Sequence, residues 1–492
     1  MKTYSKVLTL VFFLISVILM ISPNIIAYSC NKRIICDKPN WQWQHSLCSD
    51  GEGGALVSWA DNRSGLGYDI YAQKIDINGL FAWNTEGIAV CTEMADQTST
   101  KICSDGEGGA IVIWSDYRNG SDLYAQRIDT TGNLLWNASG KFVSSAGYCH
   151  QICSDSQGGA VFTWKESYNL YTQRINSNGT VMWDSNGVVI CNATKKQDEL
   201  QFFCDDDGTS FFTWTDYRVD DDTMMLTGTD IYAQKVDIDG NVQWQLNGTP
   251  ICAREGIQWL PQICTDGTDG AIINWVDADT FQCFAQRINS TGDGQWGANG
   301  TVLVSSIDWF VYQTMISDNE GGVIIAIRGV FSGIYALRIN SNAEMVFFEH
   351  TYPTEERHSV GGVDMCSDGK GGTFIVWTIP IPPIGSGPYT HDISAQRIDS
   401  NGTNFWSKSG KTICNTPSDQ HLGNICNNGI GKVIISWEDW YPGSYPIEDI
   451  DIYFTILKLI KGNTAISFGI FYILFLCLTT SGLVITVKRY RH

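Results

Sequence analysis

The sequence has few basic residues for its length, and this shortage excludes one large class of partner. Its 492 residues include 32 lysines and arginines against 52 aspartates and glutamates, which gives a formal net charge of −20. Proteins that bind nucleic acid need a basic surface to neutralise the phosphates. We therefore expect no nucleic-acid partner.

Proline is also scarce, and amphipathic helices are missing. Only 12 prolines together with a 43% share of hydrophobic residues argue against a disordered chain. Between the two termini no stretch shows a convincing apolar period of about 3.6 residues, the signature of a surface helix. These absences favour a folded, all-β protein.

Recognisable catalytic and metal-binding motifs are absent as well. The seven histidines are scattered, none stands in a serine or cysteine nucleophile motif, and no Cys-x-x-Cys pair exists. We therefore predict no catalytic residue, no cofactor-binding residue and no zinc site. The aspartate runs at 205–207 and 220–222 are either a calcium site or, as is commoner, solvated turns.

The N-terminal 30 residues have the pattern of a secretory signal. Lys2 and Lys6 are followed by sixteen uncharged residues, 7–22, and then by small residues near Ser29. An uncleaved anchor is the alternative interpretation. Either interpretation sends residues 31–463 out of the cytoplasm.

The C-terminal end has the pattern of a membrane span. Residues 465–487 carry no charge over 23 positions, enough to cross about 30 Å of hydrocarbon as a helix. Lys488, Arg489 and Arg491 follow at once, which places the tail 488–492 in the cytoplasm. A buried core helix is the competing interpretation. The sequence predicts a single-pass cell-membrane protein with a transmembrane helix at 464–487 and an extracellular domain at 31–463.

Residues 31–463 consist of one unit repeated eight times. The segment from Ile102 to Trp114 recurs at intervals of 50 to 60 residues, and the phrase from Tyr124 to Asp129 follows each copy. The copies of the first segment begin at Cys48, Cys103, Cys153, Cys204, Cys264, Ile316, Cys366 and Cys426. Beyond the second phrase, seven copies carry an aromatic residue: Trp83, Trp136, Trp183, Trp244, Trp296, Phe347 and Trp406.

Each unit reads as four short strands. A turn of the form Asp-Gly-x-Gly-Gly, a polar Asp-x-Arg loop and an Asp/Asn-x-x-Gly turn separate them. The apolar run Ala110 to Trp114 does not alternate with polar residues, so both faces of that strand must be covered. Similar sheets stacked on either side provide this cover, which is the arrangement of a β-propeller.

The sequence also predicts how the ring closes. The opening segment Ile34-Ile35-Cys36 matches the piece that follows the tryptophan in other units, and the eighth unit stops before its own copy. We therefore predict a propeller of eight four-stranded blades closed by pairing the two ends. Seven blades and a divergent spare is the alternative, because the sixth unit has lost its tryptophans and cysteines.

Cysteines recur in pairs at a spacing of 12 or 13 residues, and the sixth unit lacks both members. In an extracellular protein this pattern predicts disulfide bonds. The predicted pairs are Cys36–Cys48, Cys91–Cys103, Cys191–Cys204, Cys252–Cys264 and Cys414–Cys426, with Cys149–Cys153 as a shorter variant. Cys30, Cys283 and Cys366 have no obvious partner.

Glycosylation sequons of the form Asn-x-Ser/Thr fall in or beside predicted turns. In a secreted chain their surface position makes them candidate glycan acceptors. They are Asn62, Asn119, Asn137, Asn178, Asn192, Asn247, Asn289, Asn299 and Asn401.

The phrase from Tyr124 to Trp136 resembles the tryptophan-docking repeat of quinoprotein-like eight-bladed propellers, and the Gly-Gly-Ala-Ile-Val-x-Trp segments resemble the units of secreted or surface-anchored microbial propeller proteins. The resemblance covers about residues 34–460. It implies that the tryptophan wedges between neighbouring blades, a role carried over to Trp83, Trp136, Trp183, Trp244, Trp296 and Trp406. The spacing differs by one residue, and the cofactor-binding residues of the quinoprotein family have no counterpart here.

A functional site must break the repeat, because a site is needed once whereas blades recur. Three expanded loops between second and third strands do so, in units four, seven and eight, and equivalent loops share one rim of a propeller. Tolerated surface insertions are the competing interpretation. The candidate binding rim comprises Asp220, Asp221, Asp222, His391, Trp440, Tyr441 and Tyr445. The favoured function is extracellular binding or adhesion to a protein or carbohydrate ligand, and the alternatives are a polysaccharide hydrolase or lyase and a structural envelope component.

Overall fold

Eight antiparallel sheets of four strands each make up residues 33–458. The computed structural model describes residues 32–145, 148–219, 228–305, 310–329, 333–350, 362–382, 389–429, 431–441, 449–458, 476–479 and 482–485, without side chains at 148–150, 310–311, 422, 458 and 476–485. Residues up to Leu457 form one compact unit, and those from Lys458 form a second. We call the eight sheets blades 1 to 8.

The first four blades follow one another along the chain without interruption. Blade 1 contains β2 (Gln42–Ser49), β3 (Ala55–Asp61), β4 (Asp69–Ile75) and β5 (Ile88–Cys91). Blade 2 contains β6 (Gln97–Ser104), β7 (Ala110–Asp116), β8 (Asp122–Ile128) and β9 (Lys141–Ser144). Blade 3 contains β10 (Tyr148–Ser154), β11 (Ala160–Glu166), β12 (Asn169–Ile175) and β13 (Val188–Cys191). Blade 4 contains β14 (Gln197–Cys204), β15 (Ser210–Asp216), β16 (Asp230–Val236) and β17 (Thr249–Cys252).

The remaining four blades repeat the pattern, and the last one is completed from the N-terminus. Blade 5 contains β18 (Gln258–Thr265), β19 (Ala271–Asp277), β20 (Gln282–Ile288) and β21 (Thr301–Val304). Blade 6 contains β22 (Phe310–Ser317), β23 (Val323–Gly329), β24 (Gly333–Ile339) and β25 (Met345–His350). Blade 7 contains β26 (Val363–Ser367), β27 (Thr373–Ile381), β28 (Thr390–Ile398) and β29 (Lys411–Cys414). Blade 8 contains β30 (Asp419–Asn427), β31 (Lys432–Trp440), β32 (Ile450–Lys458) and β1 (Arg33–Cys36).

The blades form a closed ring. The first strand of each blade contacts the first strand of the next, and β30 of blade 8 contacts β2 of blade 1. Strand β1 supplies the fourth strand of blade 8 by pairing antiparallel with β32, with Arg33 opposite Phe454 and Ile34 opposite Tyr453. The eight-bladed ring and its closure are as the sequence predicts. The divergent sixth unit forms a complete blade, so the seven-blade alternative is wrong.

The hydrophobic core lies between blades rather than within them. All seven residues of β7 are buried, and so are those of β3, β15 and β19. Leu56 and Ala60 of blade 1 pack in one cluster with Val112 and Trp114 of blade 2. Because each second strand has a neighbouring sheet on both faces, its sequence is a continuous apolar run.

Tryptophans after the third strand fasten each blade to the next. Trp136 of blade 2 lies against Gly179 of blade 3, so closely that a Cβ on this glycine would stand 3.0 Å from the indole ring. Its Nε1 donates a hydrogen bond of 3.1 Å to the carbonyl oxygen of Ser177, and Arg127 donates to the same oxygen at 3.3 Å. This is the inter-blade packing role that the resemblance implies. The same contact joins Trp83 to Gly132, Trp183 to Gly240 and Trp244 to Gly292.

Blade 8 lacks such a tryptophan, and two residues from the closing strands take its place. A Cβ on Gly79 of blade 1 would stand 2.7 Å from Arg33 and 2.8 Å from Ile456. Arg33 also donates a hydrogen bond to the carbonyl oxygen of Gly79. The chain ends therefore provide both the missing strand and the missing inter-blade contact.

The predicted disulfide bonds are not present. Among the described residues, thirteen cysteines are free thiols, and they include Cys36 and Cys48. Cys36 ends the outermost strand of blade 8, whereas Cys48 lies on the innermost strand of blade 1. Neighbouring strands are about 4.8 Å apart, so innermost and outermost positions are separated by more than the roughly 7 Å that a disulfide can bridge between Cα atoms. The 12-residue spacing measures the connection between blades.

The other predicted cysteine pairs fail for the same reason. In each, the first residue ends a fourth strand and the second lies on the first strand of the following blade. The free cysteines of these pairs are Cys91, Cys103, Cys191, Cys204, Cys252, Cys264, Cys414 and Cys426. Cys153 is also free, and the side chain of Cys149 lies outside the described part.

The C-terminal unit is described only by two short strands. Strands β33 (Leu476–Thr479) and β34 (Gly482–Ile485) pair antiparallel with each other. The described residues contain no helix long and apolar enough to cross a membrane. The rest of the predicted span at 464–487, the signal segment 1–30 and the tail 488–492 lie outside the described residues.

Candidate functional site

The Asp-x-Arg loops form a repeated contact between blades. In blade 2, Asp116 is fully buried and accepts hydrogen bonds from Trp114 Nε1 at 3.0 Å and from the Arg118 guanidinium at 2.5 Å. The guanidinium lies 4.3 Å from the centre of the Tyr124 ring and 3.2 Å from the Sγ atom of Cys91 in blade 1. Burial would raise the pKa of Asp116, but the bonds from Arg118 and Trp114 outweigh it and lower this pKa.

The same group of side chains recurs around Asp61 and Asp216. In blade 5 the cation comes from the preceding connection instead, since Arg254 stands 3.9 Å from Asp277 and 4.9 Å from the centre of the Phe284 ring. Because this arrangement repeats, it belongs to the scaffold. A specific function needs a place where the pattern changes.

The predicted rim changes the pattern at blades 7 and 8. His391 lies near the start of β28, Trp440 ends β31 and Tyr441 follows it. Asp220, Asp221, Asp222 and Tyr445 lie outside the described residues. The structure therefore tests the rim at three of its seven positions.

Two residues that the sequence analysis missed complete the site. Asp419 begins β30, and its Oδ1 lies 2.9 Å from Nδ1 of His391 while its Oδ2 lies 3.0 Å from Nε2 of His421. The backbone N–H of His391 also donates to Asp419 Oδ1 at 2.9 Å. The His421 ring packs against Trp440, with 4.1 Å between ring centres. We call His391, Asp419, His421 and Trp440 the rim cluster.

The rim cluster is partly open to solvent and carries a fixed negative charge. The side chains of His391, Asp419 and His421 are 28%, 22% and 38% exposed. Burial alone would raise the pKa of Asp419, but hydrogen bonds from His391 and His421 outweigh it and hold this pKa well below its usual range. The carboxylate is therefore ionised at neutral pH, between two imidazoles.

Polar residues of blades 8 and 1 hold the rim cluster from below. Glu438 accepts a hydrogen bond of 3.1 Å from Trp440 Nε1, and it lies 3.4 Å from Nδ1 of His45 in blade 1. His45 Nε2 lies 3.0 Å from the Ser436 hydroxyl. Burial opposes the ionisation of Glu438, but the bonds from His45 and Trp440 prevail and lower its pKa. Trp440 is thus oriented by a connected network.

A second aspartate near the cluster shows why a shifted pKa alone does not mark a site. Burial raises the pKa of Asp392 to about 6. Burial also raises the pKa of Asp69, Asp230 and Asp451 to about 6, at the corresponding start of the third strand in other blades. The raised pKa is a property of the repeat.

Two other polar features also follow from the repeat. A groove of about 560 Å³ between blades 5 and 6 is lined by Asp266, Arg287 and Trp296, which are the ion pair and the docking tryptophan found at other blade interfaces. In the aspartate run at 205–207, Asp205 and Asp207 both accept a hydrogen bond from the backbone N–H of Thr209, which makes a turn. Within the described residues, His391, Asp419 and His421 are the one group of three whose ligand atoms come together as a metal site requires.

The missed residues had a signal in the sequence. First strands begin with a buried glutamine, at Gln42, Gln97, Gln197, Gln258 and Gln420. Alignment on this glutamine puts His421 in the position of Trp43, Thr98, Asp198 and Trp259. Histidine occurs there once, in the blade next to the loop that carries His391.

The nine sequons lie outside the strands. Asn119, Asn137, Asn178, Asn192, Asn299 and Asn401 are exposed, whereas Asn62, Asn247 and Asn289 are half-buried. Their predicted position in or beside turns is confirmed. Glycan attachment stays a prediction.

Comparisons with known proteins add little beyond the fold. No family model matches the sequence, and no curated protein matches it. A Dyadobacter fermentans protein of unknown function is 10% identical, with 87% of this chain and 99% of that chain covered and a TM-score of 0.37. Prolyl oligopeptidase B from Galerina marginata is 10% identical, with 84% and 56% covered and a TM-score of 0.42. A mutant NanB sialidase from Streptococcus pneumoniae is 11% identical, with 87% and 70% covered and a TM-score of 0.34. Similarities this low say nothing about activity.

Proposed function

We propose that this protein is a cell-surface, membrane-anchored propeller that binds an extracellular ligand at the rim of blades 7 and 8. The observation that carries the proposal is the rim cluster, which is built where the repeat departs from its pattern. Extracellular placement and anchoring are supported by the sequence alone, through the signal pattern at 1–30 and the uncharged segment 465–487.

The chemistry of the rim favours a carbohydrate over a flat protein surface. Trp440 and Tyr441 supply aromatic rings, and Tyr441 is 38% exposed. Aromatic rings pack against the apolar faces of sugars, while imidazole and carboxylate groups form hydrogen bonds with hydroxyls. His391, Asp419 and His421 provide such groups beside the rings.

Catalysis has weaker support than binding. A polysaccharide hydrolase needs two carboxyl groups with different protonation, one as the acid and one as the base or nucleophile. Asp392 has the raised pKa of an acid, but so do three aspartates in other blades that have no rim cluster. The ligand-binding reading uses residues that occur once, and the catalytic reading uses one that recurs.

The test is binding of the purified full chain to glycan and protein arrays, with released products measured in parallel. Trp440→Ala and His421→Ala should reduce binding to the captured ligand at least tenfold. Trp259→Ala is the matched control, since Trp259 is a partly exposed tryptophan at the position of His421 in blade 5. Binding that survives both rim substitutions would overturn the proposal, and product release would establish the enzymatic alternative.

Anchoring is tested separately by truncation. Cells that express the chain ended after Lys458 should release the propeller into the medium, whereas the full chain should stay with the membrane fraction. A truncated chain that stays on the membrane would contradict the proposed anchor.

A further inference from the structure

We infer that His391, Asp419 and His421 bind a divalent transition-metal ion of the zinc type. The inference rests on geometry independent of the proposed ligand. Two imidazole nitrogens and one carboxylate group converge from β28 of blade 7 and β30 of blade 8, with their ligand atoms within 4.8 Å of one another. Imidazole and carboxylate are ligands that zinc accepts in proteins.

The spacing of the three groups needs only a small adjustment. The two nitrogen–oxygen distances are 2.9 and 3.0 Å, each spanned by one hydrogen. Metal–ligand bonds of about 2.0–2.1 Å in a tetrahedron place neighbouring ligand atoms about 3.3 Å apart. An ion that replaces the shared protons therefore separates each pair by a few tenths of an ångström, and the displaced protons pass to solvent.

The surroundings hold the three ligands in place. The backbone N–H of His391 donates to Asp419, which fixes the carboxylate relative to blade 7. Trp440 packs against the His421 ring and is itself held by Glu438. Ligand orientation by such outer contacts is a regular feature of metal sites. The net charge of −20 also favours the approach of a cation.

Three protein ligands leave the fourth tetrahedral position open. That position faces solvent, since all three side chains are partly exposed. An open position is the mark of sites that bind an external oxygen donor. If the rim has the function proposed above, a hydroxyl or carboxylate oxygen of the ligand occupies this position.

The test is titration of the full chain with Zn²⁺ at neutral pH after removal of metals by chelation. We expect one ion per chain at the rim, bound with micromolar affinity or better. His391→Ala, His421→Ala and Asp419→Asn should each weaken binding at least tenfold. His350→Ala is the matched control, because His350 is an exposed histidine on β25 of blade 6, and it should leave binding unchanged.

Two further measurements keep the test decisive. Co²⁺ should give the intense visible bands of a tetrahedral site in the parent chain and in His350→Ala but not in His421→Gln. Thermal unfolding separates loss of the site from loss of the fold. Zinc binding that is unaffected by the rim substitutions would overturn the inference, as would no binding at all. Ligand binding by the metal-free chain that still depends on Trp440 would leave the proposed function standing without the metal.

Discussion

Lys32 lies against Asp439 and 3.8 Å from the centre of the Tyr453 ring, in the place that an arginine fills in other blades. In blade 1 the corresponding group is Arg63, which pairs with Asp61 and lies over Tyr71 at 3.7 Å. Blade 8 has no arginine at this position, and a lysine 407 residues away in sequence supplies the charge. The N-terminus thus closes the ring with an ion pair as well as a strand.

Removal of the Lys32 charge should weaken ring closure. Asp439 is fully buried, and Lys32→Met would leave it with hydrogen bonds but no counter-charge. We expect a loss of about 1–2 kcal/mol in the free energy of unfolding, measured by urea denaturation. Lys370→Met, at an exposed lysine in a turn of blade 7, should change little. Equal losses in both variants would contradict the role of Lys32.

The tryptophan contact between blades should tolerate no side chain on its glycine. A Cβ on Gly240 would stand 2.6 Å from the Trp183 ring, at a backbone φ of +88°. Gly106 has a similar φ of +77° but nothing within 4 Å. Gly240→Ala should therefore cost about 2–4 kcal/mol in urea denaturation and Gly106→Ala only about 1 kcal/mol. Comparable costs would show that backbone strain rather than docking sets the effect.

Neutralisation of a buried aspartate should stabilise the protein at neutral pH. Burial, with a further contribution from Asp216, raises the pKa of Asp230 from 3.8 to about 6. The folded state then binds more protons than the unfolded state between these values, so the stability owed to Asp230 falls as the pH rises through 6. Asp230→Asn should gain about 1 kcal/mol at pH 7.5 and little at pH 4.

Thermal or urea midpoints across the pH range measure this effect. Asp206→Asn, at an exposed aspartate of the neighbouring turn, is the control and should show no such pH dependence. A gain for Asp230→Asn that is constant with pH would mean that the amide acts by packing and not by loss of charge.

The buried thiols should react slowly while the protein is folded. Burial raises the pKa of Cys91 and Cys191 to about 11 and that of Cys36 to about 12, so little thiolate exists at pH 8. A maleimide should label the native chain slowly and label all thirteen described cysteines in denaturant without reductant. Peptide mass spectrometry identifies the labelled positions. Cysteines that react only after reduction would restore the disulfide interpretation.

The sequence predicts the ring well because each blade repeats the physics of its neighbour. The run Ala110 to Trp114 requires cover on both faces, and the match of Ile34-Ile35-Cys36 to the missing last strand predicts closure. The cysteine pairs misled because spacing along the chain does not distinguish a short loop from a connection that crosses the whole width of a blade. Only strand order shows that Cys36 and Cys48 lie at opposite edges.

The candidate site was half predictable. His391 and Trp440 stand in expanded loops, which departures from the repeat length reveal. Asp419 and His421 occupy a strand of ordinary length, so only the identity of the side chains distinguishes them. Their meeting with His391 depends on contact between the third strand of one blade and the first strand of the next, which no local pattern encodes.

Closure by β1 also sets an order of events during synthesis. Arg33 leaves the ribosome long before its partner Phe454 exists, so the first strand has to wait for the last while seven blades assemble. Until then blade 8 has an open edge and blade 1 has an uncovered apolar face, both prone to aggregation. Nascent chains of this protein are therefore natural clients for chaperones until translation is nearly complete.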